Sequence, residues 1–191
     1  MPMSGLYYAC LALLEDETAE LYERLAERCS DGRVKLLLLN VLHETKKHGE
    51  IFKFICASRG ATYPPRLGEC EKEAGSLLVG SLRLTRSLKE RAERGEPLAA
   101  TLERLIGFEG DVGEEYLARL HAGASGLVED DRAAREVLAY VAEDEERHVN
   151  LLKLACALLS KGRRERGGLE RVKAPEPRRG SSGRAGPRPR G

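Results

Sequence analysis

Four stretches of this chain repeat core-type residues at steps of three and four, and in each the apolar pattern is interrupted midway by Glu or His. The first reads Leu11, Glu15, Thr18, Tyr22, Leu25, Cys29. The second reads Val34, Leu38, Val41, Thr45, His48, Phe52, Ile55. The third reads Leu98, Leu102, Leu105, Glu109, Val112, Tyr116, and the fourth Leu138, Val141, Glu145, His148, Leu152, Ala155, Leu159. Such steps put each set on one face of a helix. Alternation of three and four is the packing period of a helical bundle core.

The interruptions carry the chemistry. A carboxylate buried alone is costly and tends to take up a proton. Several facing carboxylates and two imidazoles need cations among them, and two divalent ions would supply that charge. Glu145 and His148 stand one turn apart on one face, a chelating arrangement. On its own the segment from Glu143 to Arg147 reads equally well as a solvated acidic run.

An internal repeat links the two halves. Leu14 to Tyr22 aligns with Phe108 to Tyr116, each with Glu and then Tyr seven positions on. His48-Gly49-Glu50-Ile51-Phe52-Lys53 aligns with His148-Val149-Asn150-Leu151-Leu152-Lys153. The repeat selects Glu15 over Glu17, and Glu109 over Glu114 and Glu115.

Breakers give the organisation. A first helix is expected from Ser4 to Cys29, ended by Ser30-Asp31-Gly32, which can also cap the next. A second runs from Arg33 to Ser58, before Gly60 and Pro64-Pro65. An additional helix spans Glu69 to Arg94, with breaks expected near Gly75 and Gly80. The third bundle helix runs from Leu98 to His121 and the fourth from Glu129 to Lys161. Residues 1–161 form the bundle; residues 162–191, rich in Gly, Pro and Arg, are expected to be a disordered tail.

With these residues in view, the chain resembles the ferritin-like superfamily, nearest to rubrerythrin-type di-iron carboxylate proteins. The resemblance covers Leu6 to Lys161. It implies an all-α, ferritin-like four-helix bundle with one additional helix between the second and third. The family pattern is Glu, Glu-x-x-His, Glu, Glu-x-x-His on successive core helices. Glu15 fits the first position, Glu109 the third, and Glu145 with His148 the fourth. The second departs: Thr45 stands three residues before His48, and Glu44 stands four before it. Either Glu44 substitutes with altered geometry, about 100° away around the helix, or one bridging carboxylate is missing.

The metal set implied is therefore Glu15, Glu44, His48, Glu109, Glu145 and His148. The ion implied is iron, two ions or one if the Thr45 side is defective, with manganese as the other choice. Tyr22 and Tyr116 are the implied hydrogen-bonding or electron-transfer residues. The implied activities are peroxide or dioxygen reduction, iron oxidation, or oxidation of an organic substrate. The rival readings are a metal-free helical scaffold that lost part of the site, and a di-iron hydroxylase of a macromolecule.

Composition bounds the remainder. Cys10, Cys29, Cys56, Cys70 and Cys156 form no Cys-x-x-Cys pair, which argues against zinc-ribbon and rubredoxin-type sites. A peroxidase would then draw on an external electron donor. Four of these cysteines lie in apolar helical stretches and read as small core residues. Gln is absent and only Asn40 and Asn150 represent Asn, a thermophile-like composition in which a disulfide is tolerated. No apolar run approaches the roughly 20 residues that span a bilayer, and no secretory signal stands out. A cytoplasmic location, no membrane partner and a homo-oligomer among the open assembly states are the expectations. Against a total charge of +1, the tail from Arg163 carries ten basic and three acidic residues, leaving an acidic body. Such a tail suits a solubilising extension, or weak non-specific nucleic-acid binding. His43 and His121 fall off the stripes and read as surface residues; Tyr7, Tyr8 and Tyr140 read as packing.

Overall fold

The computed structural model describes the backbone of residues 3–111 and 131–171 together with 118, 119, 121 and 122; side chains at 107–111 and 162–171 fall outside that description. It is all-helical, with no strand among the described residues. The helices are α1 (Gly5–Arg28), α2 (Gly32–Ser58), α3 (Leu67–Glu93), α4 (Leu98–Asp111) and α5 (Arg132–Arg171).

Local chemistry sets most of the boundaries. Ser4 Oγ accepts from the Tyr7 amide at 3.1 Å and opens α1. Asp31 accepts from the Arg33 amide at 2.9 Å and opens α2, so the α1–α2 connection is short and the pair forms an antiparallel hairpin. Asp131 does the same for α5, accepting from the Ala133 amide at 2.7 Å. That helix therefore begins at Arg132, later than Glu129 as expected. It also continues to Arg171 rather than ending at Lys161. Arg, Glu and Leu between 163 and 171 are good helix formers and outweigh Gly167 and Gly168. The expected disordered segment beyond Arg171, and the third bundle helix from Val112 to Tyr116, lie outside the described residues.

Of the two breaks expected in the additional helix, one forms. Gly75 has φ 88° and ψ 173° and interrupts α3, whereas Gly80 stays helical. A positive φ is inexpensive only for glycine.

α1 packs most extensively on α2 and then on α3; α5 packs on α2 and α4. The apolar interior falls into two clusters. One holds Tyr8, Leu11, Phe52, Leu82, Leu138 and Val141. The other holds Leu21, Leu25, Leu38, Leu102 and Leu152. On α1, α2 and α5 alike, the polar residues of the stripes lie between the stretches that feed these clusters. The bundle is thus two apolar layers separated by a polar one.

Two of the cysteines are crosslinked. Cys10 and Cys70 form a disulfide that ties α1 to the segment of α3 before Gly75, with a Cα–Cα distance of 5.5 Å. Both are fully buried, so the bond joins two residues that also fill the core. Cys29 and Cys56 are buried free thiols. Tyr7 and Tyr8 pack in the core as expected, whereas Tyr140 is 62% exposed and packs on nothing interior. No helix among the described residues is long and apolar enough to cross a membrane.

Candidate metal centre

The polar layer is built from α1, α2 and α5. Glu15, Thr45, His48, Asp144 and His148 are buried, and Glu145 is nearly so. Except for Asp144, their positions follow from the stripes: each lies one or two turns from apolar residues that anchor its helix face. The side chains beside them point elsewhere. Glu143 and Glu146 are exposed, so the acidic run on α5 is solvated on one side only.

His48 is the hub. Its Nδ1 lies 2.9 Å from Glu145 Oε1, and its Nε2 lies 3.1 Å from Asp144 Oδ2. Ionised carboxylates only accept hydrogen bonds. One ring therefore satisfies both partners only with a proton on each nitrogen. A metal ion at Nδ1 would take the place of one of those protons and leave Nε2–H on Asp144. Carboxylate–imidazole–metal relays of this kind orient metal-binding histidines.

Around that hub, ligand atoms from Glu15, His48 and Glu145 all lie within 4.8 Å of one another. His148 completes the layer: its ring stacks on that of His48 with centroids 5.7 Å apart. Its Nδ1 lies 3.6 Å from Glu145 Oε2, so Glu145 sits between two imidazoles. The other nitrogen of His148, Nε2, is buried without a hydrogen-bond partner among the described residues. Such a nitrogen is costly unless something binds it.

Burial pushes the Glu145 carboxyl up, but contacts and charges from His148 and His48 outweigh it and hold the group below the ordinary carboxylate range. The carboxylate form that binds metal is thus favoured by the layer itself.

Close approach of α1 to α2 matters here. A Cβ added to Gly49 would lie 3.0 Å from Asp16 Oδ1 and 3.4 Å from Glu15 Cβ. Gly49 therefore lets the backbone carrying Glu15 come up beside His48. Asp16, next to Glu15, is held away from the layer by Tyr63 Oη and by Lys53 Nζ at 2.9 Å. The Tyr63 hydroxyl is pushed up by burial and by this carboxylate.

The expected ligands divide as follows. Glu15, His48 and Glu145 form one grouping, and His148 lies against Glu145 and His48. Glu44 is half-buried and belongs to a second grouping with His48 and Asp144, again within 4.8 Å. The departure at Thr45 is real in space, since Thr45 is buried on the stripe where the other half has Glu145. Tyr22 is buried on α1 two turns from Glu15, in the second apolar cluster. The side chain of Glu109 and all of Tyr116 lie outside the described residues. His43 and His121 are exposed, as expected; His121 Nε2 faces Glu146 at 3.3 Å on the surface. Glu17 pairs with Arg86 at 2.8 Å and with Lys89, and Glu20 pairs with Lys89 at 2.7 Å.

Asp144 is the residue that the stripes missed. A signal was available: Val141, Asp144, His148 steps by three and four as well as Val141, Glu145, His148 does. In the repeat, Asp144 also aligns with Glu44. No family model, curated protein or solved structure matches the chain.

Proposed function

We propose that this chain is a ferritin-like metal protein, holding a redox-active transition ion in the polar layer and acting on dioxygen, peroxide or ferrous iron as an oxidoreductase. The observation that carries the reading is the pairing of Glu145 with two buried imidazoles, one of which is oriented from behind by Asp144. The donor set of carboxylate oxygens and imidazole nitrogens suits iron or manganese. Glu15, His48, Glu145 and His148 would hold the ion. The Nε2 of His148, without a hydrogen-bond partner among the described residues, and the carboxylate-facing Nδ1 of His48 fit that role.

Iron bound there supplies one-electron chemistry toward oxygen or peroxide. The protein's own part is to keep Glu145 ionised, to fix the His48 ring through Asp144, and to surround the layer with apolar side chains. An external donor would return the electrons.

A second reading is a metal-free scaffold, favoured by one observation: Lys47 and Arg147 both pair with Asp144, so cationic side chains already meet part of the buried charge. Anaerobic loading with ferrous ion separates the two. The metal reading expects iron bound to the parent chain and lost from Glu145→Ala/His148→Ala. A parent chain that takes up no iron, manganese or cobalt establishes the scaffold. A double variant that keeps full metal moves the site elsewhere.

A further inference from the structure

The second grouping of ligand atoms already contains a cation. Lys47 Nζ contacts the Glu44 carboxylate and lies 2.7 Å from Asp144 Oδ2. The same Asp144 oxygen lies 3.1 Å from His48 Nε2. One ammonium thus sits where Glu44 and Asp144 converge, on the outer side of the layer.

We propose that Lys47 is a displaceable internal cation: its ammonium fills the position between Glu44 and Asp144, so the layer accepts one divalent ion readily and a second only by expelling the lysine. This rests on the metal reading above and goes beyond it, because it assigns the number of ions to a residue that is not a ligand.

Three features support it. First, the position selects for positive charge, since two carboxylates from different helices share one ammonium. Second, the lysine is free to leave: its side chain is 50% exposed, on a stem of four methylenes, whereas Asp144 is 8% exposed at its side chain and His48 is fully buried. Third, departure has somewhere to go. Lys47 lies at a groove of about 430 Å³ between α2 and α5, lined also by Ile51, Phe54, Ala134 and Val137. Arg147 would not take its place, because it holds the other oxygen of Asp144, Oδ1.

The repeat makes the asymmetry intelligible. Lys47 aligns with Arg147, Glu44 with Asp144 and Thr45 with Glu145. On the Thr45 side one carboxylate of the stripe is absent, and on the same side a lysine supplies positive charge to the carboxylates that remain. Loss of that carboxylate reduces the demand for a second ion.

The test is ion stoichiometry by equilibrium dialysis against manganese, at matched free concentrations, on the parent chain, Lys47→Met, Lys47→Arg and Lys47→Met/Asp144→Asn. Helical content is checked by circular dichroism, and Lys47→Gln replaces Lys47→Met if that variant does not fold. The expected result is one ion per parent chain and two in Lys47→Met. Lys47→Arg and the double variant should stay at one. Two ions of like affinity in the parent, or a single ion in a folded Lys47→Met or Lys47→Gln, overturns the proposal and leaves the metal reading standing. No ion in any of the chains defeats both.

Discussion

His48 and Asp144 are 96 residues apart in the chain, yet the Nε2 of one lies 3.1 Å from a carboxylate oxygen of the other, and both are buried. This contact fixes the ring plane of His48 and, with it, the direction of Nδ1 toward Glu145. It also pins α5 to α2 at the level of the polar layer.

Asp144 should act on metal affinity without being a ligand of the first ion. Asp144→Asn keeps an acceptor for His48 Nε2, and Asp144→Leu removes it. Loss of such a partner commonly weakens metal binding by about 10–100-fold. Ferrous or cobalt titration should show a small loss for Asn and a loss in that range for Leu. Equal affinities in all three chains would remove the positioning role.

Thr45→Glu should lower the stability of the metal-free protein, because Thr45 is buried and the change adds a further carboxylate to the polar layer. An uncompensated buried charge costs on the order of 3 kcal/mol. Added manganese should recover much of that loss, since binding to the folded state alone stabilises it. Thermal melts with and without the ion check this; a variant destabilised equally in both conditions speaks against a cation in the layer.

The Cys10–Cys70 bond closes a loop with a sequence separation of 60. In the chain-entropy description such a crosslink stabilises by roughly 4 kcal/mol. Urea unfolding of the parent and of Cys10→Ser/Cys70→Ser should differ by that amount, and reductant should lower the parent only. A parent whose midpoint ignores reductant would mean that the bond does not form.

Acid sensitivity should appear at the start of α2. Asp31 is held down at about 2, from an ordinary value of 3.8, chiefly by the Arg33 side chain and then by the backbone amide of Arg33. The folded state therefore favours the ionised form. The resulting stabilisation is complete above the ordinary value and drains away as pH falls from there toward 2. Asp31→Asn retains the cap but not the charge. The gap in melting temperature between parent and variant should be widest above pH 4.5 and narrow toward pH 2. A gap independent of pH would place the effect in the cap geometry alone.

Much of this arrangement is written in the order of residues. Val34, Leu38, Val41, Thr45, His48, Phe52 and Ile55 were expected to share one face, and all are buried. Glu145 and His148 were legible because their spacing admits one geometry on a helix. Asp144 was not, since steps of three and four from Val141 reach His148 through either residue. Only the packing angle of α5 on α2 decides that both acidic side chains turn inward. The pairing of Cys10 with Cys70 was hidden for a similar reason: it depends on how α3 lies across α1, which no periodicity within either helix contains. Gly75 and Gly80 read alike as letters, yet only Gly75 leaves the helical conformation.

The division of the core by a polar layer also makes the helices' relative heights non-negotiable. A uniformly apolar interface tolerates one helix sliding along another by a turn, about 5.4 Å, with leucine exchanging for leucine. Here the same slip of α5 would carry Glu145 in among Leu138-type neighbours and leave His48 facing valine, stranding charge in oil on both sides. The layer thus behaves as a notch and key between helices that would otherwise glide.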